Sequence, residues 1–280
     1  MAIEQYINHL VELSNEAIKE NKDDYTDEQT GLLMCGSCHT PKQTRVKLMG
    51  KIISPKCLCK CEAERIKNEE EQEKKKELLE RIKKYRKMGF PESQMEHWTF
   101  ENDDRSNAKL SDMAKRYVDN FSEFYKDGKG LLLHGGVGTG KTYIACMIAN
   151  ALIDKGYPVL VTNFSRILST LQGTFDKQEY LDSLNQFKLL VIDDLGIERD
   201  TGYAKEQVYN IIDSRYRAGL PMIITTNLTM QKMATETELA DKRVYDRIIE
   251  RCFPVEVAGE SRRMKKLINS FDDMKNMLGI

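Results

Sequence analysis

The chain has 280 residues and a formal net charge of −1 at pH 7. This length allows one substantial hydrophobic core together with a smaller module, so we expect two domains or one domain with an appendage. The near-neutral charge excludes a uniformly basic protein, and no apolar run comes near the ~20 residues that span a bilayer. Because the N-terminus also lacks a signal-peptide pattern, the sequence predicts a cytoplasmic protein that does not associate with membranes.

Two predicted helices flank a cysteine-rich segment near the start of the chain. Residues 3–18 carry apolar side chains at helical spacing, which predicts an amphipathic helix that packs on the neighbouring module or binds a partner. Residues 62–88 are mostly charged with both signs interleaved, which indicates an exposed linker helix. The stretch "GFPE" at 89–92 ends this helix, because glycine and proline both break helical geometry.

The cysteine-rich segment holds five of the seven cysteines, between positions 35 and 61. "CGSC" is followed after 18 residues by "CLCKC", and this clustered, odd-numbered set favours metal ligation over disulfides. Zinc takes four ligands in a tetrahedron, so the five cysteines and His39 compete for four positions. A module with so few apolar residues needs such an ion for stability. Its six Lys or Arg residues and lack of acidic residues indicate either compensation of thiolate charge or a basic binding face.

Beyond about residue 96, short apolar runs alternate with amphipathic segments long enough to be crossover helices. Such alternation is typical of an α/β domain with a parallel sheet, whose strands are buried on both faces. The five predicted strands are residues 131–134, 159–163, 188–193, 222–227 and 253–257. After them, an apolar residue recurs at helical spacing and predicts a terminal helix through Leu267, Phe271, Met274 and Leu278.

A phosphate-binding loop follows the first of these strands. "GGVGTGKT" at 135–142 matches G-x4-G-K-T between a predicted strand and a predicted helix. Its backbone N–H groups and the helix N-terminus would surround a triphosphate. Lys141 is expected to reach the β- and γ-phosphates, and Thr142 to supply an oxygen to Mg²⁺. The predicted nucleotide contacts are Gly135, Gly136, Val137, Gly138, Thr139, Gly140, Lys141, Thr142, Tyr143 and Asp193.

Polar residues also end two later strands. "KLLVIDDLG" places Asp193 and Asp194 at the end of a buried strand, about fifty residues after the loop. Asp193 fits the carboxylate on the Mg²⁺ side, and Asp194 is placed to orient and polarise an attacking water. Asn227 follows the strand "MIITT" and is predicted to hold the same water from the other side. Together these residues favour ATP hydrolysis over simple phosphate binding.

Five motifs in this order resemble the AAA+ ATPases of the DnaC/DnaI type. The motifs are "GGVGTGKT", "LLVIDDLG", "IITTN", "RVYDRIIERC" and "GESRR". With "WTFENDD" at 98–104, the resemblance covers about residues 96–270. These proteins are bacterial and phage replicative helicase loaders, and transposition helper ATPases of the IstB type are close relatives. The cysteine-rich segment is similar to the zinc-binding N-terminal module of the DnaI-like loaders, a module that IstB-type proteins as a rule lack.

The resemblance implies roles for two arginines. Arg247 matches the arginine that acts on the nucleotide of an adjacent subunit, and Arg263 matches the sensor-2 arginine that contacts the γ-phosphate in cis. A fixed guanidinium neutralises charge on the transferring phosphoryl group, an effect worth ~10³-fold or more in rate. The alternative for Arg247 is a local ion pair with Asp246 or Glu250 on the same helix.

The resemblance also bears on metal and DNA. The cysteines that best match the family's zinc ligands are Cys35, Cys38, Cys59 and Cys61, which leaves Cys57 unassigned. Residues 164–184 correspond to the family's contact with single-stranded DNA, whereas their composition alone predicts a pair of amphipathic helices. Many AAA+ proteins have Asp-Glu where this chain has Asp-Asp, and the shorter second carboxylate predicts slow turnover.

The motifs predict an ATPase that uses ATP, Mg²⁺ and Zn²⁺. The resemblance implies that it binds a hexameric replicative helicase of the DnaB type and delivers it onto single-stranded DNA as a homo-oligomer. The expected domains are a helix and zinc module at 1–61, a charged linker at 62–95 and a AAA+ domain at 96–280. The alternatives are an IstB-like transposition helper and an adaptor that binds ATP with negligible hydrolysis. A small-molecule kinase fits poorly, since it needs an arginine-rich lid over its substrate.

Overall fold

The computed structural model of the chain describes residues 9, 11–13, 16, 18–48, 50–196, 201–262, 271, 274, 275, 277 and 278. Its contacts divide the chain into two compact units, residues 1–78 and 79–280. Most of the predicted helix at 3–18, and Leu267 of the predicted terminal helix, lie outside the described residues. No helix in the described part of the chain is long and apolar enough to cross a membrane. The three-part division at 61 and 95 stays a prediction.

The first unit contains two short antiparallel ladders. Strand β1 (Tyr25–Thr26) pairs with β2 (Leu33–Met34), and β3 (Val46–Leu48) pairs with β4 (Lys51–Ile53). All three residues of β3 are exposed, so this hairpin buries little apolar surface. Because isolated two-stranded ladders are at best marginally stable in water, this unit needs a further source of stability.

Helix α1 (Lys60–Gly89) spans 30 residues and crosses from the first unit into the second. Most of its side chains before residue 82 are exposed, which confirms the charged helix predicted at 62–88. Its end is determined by Gly89, where a Cβ atom would lie 2.8 Å from the backbone oxygen of Val159. The predicted helix end at "GFPE" is therefore confirmed, and close packing explains why glycine stands there.

The second unit is built on a sheet of five parallel strands. The strands are β5 (Gly130–His134), β6 (Val159–Asn163), β7 (Leu189–Leu195), β8 (Met222–Thr226) and β9 (Cys252–Glu256). The helices are α2 (Ala108–Asp119), α3 (Phe121–Lys126), α4 (Lys141–Asp154), α5 (Phe164–Gly173), α6 (Lys177–Leu184), α7 (Gly202–Arg217), α8 (Met230–Ala234) and α9 (Leu239–Arg251). All five predicted strands are confirmed.

The strand order is β6-β7-β8-β5-β9, with every neighbouring pair parallel. Side chains along each strand alternate between the two faces, because the strand period is two residues. Leu131 and Leu133 accordingly join one hydrophobic cluster, whereas Leu132 joins the other. Helices cover both clusters, so the apolar strands of the sequence are buried on two sides as predicted.

Candidate functional site

The phosphate loop connects β5 to α4 at the carboxyl end of the sheet. Its backbone has a positive φ at three glycines, Gly135 (151°), Gly138 (79°) and Gly140 (102°), which side chains rarely allow. A Cβ atom at Gly135 would lie 2.4 Å from the backbone oxygen of Val257, and one at Gly138 would lie 2.2 Å from Oγ of Ser261. The segment after β9 therefore packs directly against the loop, and the loop N–H groups lie at the start of α4.

Lys141 is the first residue of α4 and is nearly buried, with 5% of its surface exposed. Its Nζ donates to the backbone oxygens of Gly135 (3.1 Å) and Gly136 (2.7 Å) and to Oδ1 of Asn227 (2.8 Å). Asn227 directly follows β8, which neighbours β5 in the sheet. The structure thus brings together the predicted phosphate lysine and the predicted strand-end amide.

Asp193 lies beside the loop with its carboxylate half-buried. Its Oδ1 accepts hydrogen bonds from Oγ1 of Thr142 (2.9 Å) and Oγ1 of Thr225 (2.6 Å). Burial raises the pKa of Asp193 above its ordinary value, and the nearby Asp194 charge adds to this, against the two hydroxyl bonds and Lys141. An oxygen-ligand cation is the natural counter-charge for such a carboxylate, and Thr142 stands beside it as the second predicted ligand.

Asp194 occupies a different environment from its neighbour, since its side chain is exposed. Its φ is +59°, in the left-handed region, and its N–H donates to Oγ1 of Thr225 at 2.9 Å. The β7–β8 register shifts between Ile192 and Leu195, so Asp193 and Asp194 together face one residue of β8. This bulge separates the two carboxylates, since that of Asp193 contacts Thr142 and that of Asp194 is exposed to solvent.

Thr225 and Arg262 are two residues of this site that the motifs did not single out. Thr225 is fully buried and contacts both aspartates. Thr225 is part of the motif "MIITTN", but only the bulge between Ile192 and Leu195 places it opposite the two aspartates. Arg262 donates its backbone N–H to the oxygen of Gly138 (2.9 Å), and its guanidinium reaches Oδ1 of Asp104 (3.2 Å).

The predicted sensor residue Arg263 lies outside the described residues, so the structure does not test it. Tyr143, predicted to contact nucleotide, donates its hydroxyl to the oxygen of Asn102 at 2.9 Å. The Arg262 guanidinium lies 6.0 Å from the Tyr143 ring. The segment before α2, the first turn of α4 and the segment after β9 therefore meet beside the phosphate loop.

Arg247 on α9 is held by residues of α7. Its NH2 group pairs with Oδ1 of Asp213 at 2.8 Å and donates to the Tyr209 hydroxyl at 2.8 Å. Its guanidinium carbon lies 4.6 Å from the Tyr209 ring centre, and a quarter of its side chain is exposed. The ion pair is therefore with Asp213, and the alternative of a local pair with Asp246 or Glu250 does not describe this arginine.

Four cysteine sulfur atoms of the first unit lie within 4.8 Å of one another, those of Cys35, Cys38, Cys59 and Cys61. This spacing fits a tetrahedron with Zn–S bonds of about 2.3 Å. The other two competitors have different partners: Cys57 lies 3.7 Å from the oxygen of Pro41, and the His39 ring lies 3.2 Å from the Tyr25 hydroxyl. The structure thus groups the four cysteines that match the family and leaves Cys57 and His39 aside.

The ionisation of these thiols favours a bound cation. The Thr40 hydroxyl and nearby backbone N–H groups lower the pKa of Cys38 to about 5. The neighbouring sulfurs of Cys59, Cys38 and Cys35 raise the pKa of Cys61 to about 12. Four adjacent thiolates repel one another, so all four ionise together only around a metal ion, and zinc suits a set of four sulfur donors.

The basic residues of this segment are not all free for a binding face. Lys42 is buried and its Nζ pairs with Oδ2 of Asp24 at 2.5 Å. Burial opposes its charge, but Asp24 and the adjacent cysteines raise its pKa. Lys56 pairs with Glu20 at 2.9 Å. Two of the six cations therefore pair with carboxylates that precede the segment, and compensation of thiolate charge stays a prediction.

The segment considered for DNA contact forms two helices, α5 and α6, which confirms the predicted helix pair. Phe164 is buried in the core and is not available to stack on a base, whereas Phe175 between the helices is fully exposed. Arg166 lies 3.4 Å from the oxygen of Pro91, and Lys177 lies 5.1 Å from the Tyr203 ring. Of these two phenylalanines, only Phe175 is therefore exposed and able to stack on a base.

Comparisons with known proteins agree with this geometry. A model of the IstB-like ATP binding protein family matches residues 60–270. The replicative helicase loader DnaC of Escherichia coli (strain K12) is 32% identical over 142 residues, which cover 48% of this chain and 55% of that protein. The replicative helicase loader DnaI of Bacillus subtilis (strain 168) is 27% identical over 164 residues, 53% of either protein. This chain spans about half the length of the curated relatives it matches.

Solved structures support the same fold. The crystal structure of DnaI superposes with a TM-score of 0.52 and 27% identity, covering 62% of this chain and 95% of that chain. The crystal structure of the DnaC helicase loader superposes with a TM-score of 0.52 and 23% identity, covering 60% of this chain and all of that chain. The predicted AAA+ fold and the resemblance to DnaC/DnaI-type proteins are confirmed.

Proposed function

Because the chain belongs to the IstB-like ATP-binding protein family, we propose that it is an ATP-hydrolysing switch that loads a replicative ring helicase onto single-stranded DNA. The observation that carries this proposal is a pair of hydrogen bonds at one edge of the sheet. Lys141 bonds to Asn227, and Thr142 bonds to Asp193. Relatives named as replicative helicase loaders share this part of the chain. The proposed partners place its action in the cytoplasm.

Hydrolysis would proceed by charge neutralisation and positioning. Lys141 exchanges its bonds to the loop oxygens and Asn227 for bonds to the β- and γ-phosphates. Thr142 and Asp193 would hold Mg²⁺, which would supply positive charge to offset that of the phosphates. Asp194, exposed beside them, accepts a proton from the attacking water, and the released Asn227 amide orients the same water.

Assembly would complete the pocket. Arg247 of one copy acts on the nucleotide of the next, and Arg263 contacts the γ-phosphate in its own chain. The Asp213 and Tyr209 contacts hold the Arg247 guanidinium on the surface of α9, with a quarter of its side chain exposed. A guanidinium supplied in trans makes turnover depend on a homo-oligomer formed on the helicase or on DNA.

The cysteine module would bind the helicase. The four grouped cysteines would hold Zn²⁺, which would stabilise a unit whose ladders bury little apolar surface. Its exposed Arg45, Lys47 and Lys60 present positive charge to an acidic helicase surface. Arg166 and the exposed Phe175 in the α5–α6 region would contact single-stranded DNA through phosphate and stacking interactions.

Two alternatives make different predictions. The match to the IstB-like family model favours a transposition helper ATPase. Three of the four grouped cysteines lie before residue 60, where that match begins, and the cysteine cluster favours a loader of the DnaI type. An adaptor that binds ATP without hydrolysis would tolerate loss of the water-positioning carboxylate. Asp194→Asn separates the hydrolysing switch from this adaptor, since asparagine accepts the left-handed backbone that Asp194 adopts.

The experiment measures transfer of a DnaB-type hexamer to a circular single-stranded DNA, with the full-length chain and ATP. We expect the wild-type chain to capture and transfer the helicase. Asp194→Asn should retain capture and ATP binding but lose ~10²-fold or more in turnover. Cys59→Ser should lose capture. Transfer that is equally efficient without ATP, or with Asp194→Asn, would support the adaptor instead.

A further inference from the structure

One side of helix α7 carries three side chains that contact the Arg247 guanidinium. Tyr209, Asp213 and Tyr216 follow the spacing i, i+4, i+7, so they share one face of this helix. The guanidinium carbon lies 4.6 Å from the Tyr209 ring centre and 5.7 Å from that of Tyr216. Tyr209 also packs against the hydrophobic cluster that includes Leu132, which restricts the movement of its ring. The arginine of α9 therefore lies against an aromatic ring that the core holds in place.

The contacts of Arg247 use only part of its hydrogen-bonding capacity. A guanidinium has five N–H donors in a fixed fork. The NH2 group serves Asp213 and the Tyr209 hydroxyl, whereas NH1 makes one long hydrogen bond, of 3.4 Å, to the backbone oxygen of Arg243. Nε is buried and has no hydrogen-bond partner among the residues that the structure describes. The guanidinium is thus held at its NH2 end, and NH1 keeps a donor for an acceptor that another molecule supplies.

Arg215 on α7 shows how an arginine with a structural role is bound in this chain. It is 1% exposed, and all three of its nitrogens donate to backbone oxygens. Nε and NH2 donate to Pro221 at 3.3 and 2.9 Å, and NH1 donates to Phe187 at 2.8 Å. Such complete pairing is the rule for buried polar groups. Arg247 leaves unused the donors that Arg215 employs, which supports a role for Arg247 outside its own chain.

We propose that Tyr209 is a positioning residue, which directs Arg247 of one copy toward the γ-phosphate bound by the next copy. This inference rests on the proposed trans role of Arg247 and adds a residue on which that role depends. Asp213 pairs with the NH2 end of the guanidinium, and the Tyr209 ring and hydroxyl restrict its plane and direction. A cation fixed in this way needs no reorganisation when charge develops on the phosphoryl group.

Two substitutions separate the contribution of the ring from that of the hydroxyl. Tyr209→Phe keeps the ring, and turnover should fall about fivefold, the factor that corresponds to one net hydrogen bond. Tyr209→Leu removes both, and turnover should fall about 10- to 100-fold, because a displacement of about 1 Å at a reacting group has an effect of this size. Tyr203→Phe makes the same change on another side of α7 and should leave turnover near wild type. A rise in turnover with either Tyr209 variant would show that Tyr209 sequesters the arginine, and would overturn the proposal.

Mixed assemblies on single-stranded DNA locate the defect, with hydrolysis measured for full-length chains without helicase. A small amount of wild-type or Tyr209→Leu chain is added to an excess of a second variant. Asp194→Asn chains supply an intact Arg247 but no competent loop, so added Tyr209→Leu should hydrolyse ATP as fast as added wild type. Arg247→Ala chains supply intact loops and depend on the added chain's arginine. In that mixture Tyr209→Leu should give about 10- to 100-fold less hydrolysis than wild type.

This asymmetry distinguishes positioning from a structural role of Tyr209. A folding defect would lower hydrolysis in both mixtures, and Tyr209→Phe, which keeps the ring packed, should repeat the asymmetry at about fivefold. Equal losses in both mixtures, or wild-type rates in both, would overturn the positioning role and leave the trans role of Arg247 intact. If added wild-type chain restores no hydrolysis to Arg247→Ala chains, the trans arrangement on which this inference rests is itself refuted.

Discussion

The Nζ atom of Lys141 lies 2.8 Å from Oδ1 of Asn227, so a hydrogen bond joins the predicted phosphate lysine to the strand-end amide. Exchange of this bond for a phosphate oxygen would free the amide as the lysine moves. The pair would then couple occupancy of the loop to the position of the residue predicted to orient water. Neither residue performs this coupling alone.

Asn227→Ala should therefore lower turnover more than it lowers ATP affinity. We expect a loss of ~10²-fold in kcat, comparable to removal of one preorganised hydrogen-bonding group, with nucleotide binding within a few-fold of wild type. Asn227→Asp is the matched control, since it keeps an acceptor for Lys141 but lacks the amide donor. Normal turnover by Asn227→Asp would assign Asn227 to lysine positioning instead of water orientation. Steady-state hydrolysis and equilibrium nucleotide binding measure the two effects.

Asp193→Asn should stabilise the nucleotide-free chain and abolish Mg²⁺-dependent nucleotide binding. Burial raises the pKa of Asp193 above 3.8, so the folded chain binds its proton more tightly than the unfolded chain does. The stability due to this group is present at low pH and is lost as the pH rises through the raised pKa. At pH 7 we expect the variant to gain about 1 kcal/mol, and the gain should vanish below the unfolded pKa. Thermal unfolding against pH measures it, and a constant gain at all pH values would contradict this origin.

Thr225→Val should weaken Mg²⁺ binding through Asp193. The Thr225 hydroxyl donates to Asp193 at 2.6 Å and accepts from the Asp194 N–H at 2.9 Å. Loss of such an outer contact typically reduces metal affinity by about 10- to 100-fold. It should also cost about 1–2 kcal/mol of stability, because buried polar groups lose a partner. Thr225→Ser retains the hydroxyl and should stay near wild type, and Mg²⁺ titrations of nucleotide binding compare the two.

Arg247→Ala should affect both turnover and stability. Removing the guanidinium leaves Asp213, whose side chain is only 7% exposed, with Arg217 as its described ionic partner, at a cost of about 1–3 kcal/mol. Turnover should fall ~10³-fold if the arginine acts in trans. The exposed Arg243 one turn earlier is the matched control, and Arg243→Ala should retain turnover.

Mixing Arg247→Ala chains with Lys141→Ala chains tests the trans arrangement directly. Some junctions of the mixture combine an intact phosphate loop with an intact Arg247 from the other chain. These junctions should restore part of the hydrolysis that neither variant performs alone. An unchanged, inactive mixture of assembled chains would place Arg247 in its own chain's structure only.

Cys59→Ser should eliminate a bound zinc ion, whereas Cys57→Ser should retain it. The Cys59 sulfur lies in the group of four within 4.8 Å, and the Cys57 sulfur contacts the Pro41 oxygen instead. Because the ladders of this unit bury little apolar surface, metal loss should lower its stability by several kcal/mol. Metal content per chain and protease sensitivity of the first unit measure the outcome. Equal zinc content in both variants would refute the four-cysteine site.

The sequence by itself determined the sheet, the phosphate loop and the cysteine pairs. Apolar runs such as "LLLH" predict strands without knowledge of distant contacts, because a strand that is buried on both faces must be apolar along its length. The loop motif depends on local backbone geometry, since Gly135 and Gly138 take conformations that side chains would obstruct. Local pattern and local structure coincide in these segments, so prediction from the residues succeeded.

Only the tertiary structure decided which distant residues act on these motifs. Thr225 reaches the aspartates because a bulge shifts the register of two strands that are separated by a helix in the chain. Arg247 meets Asp213 because α9 packs on α7, and the sequence contains nothing that specifies this pairing. Contacts between elements depend on how whole faces pack, and packing sums many small interactions that no short motif encodes.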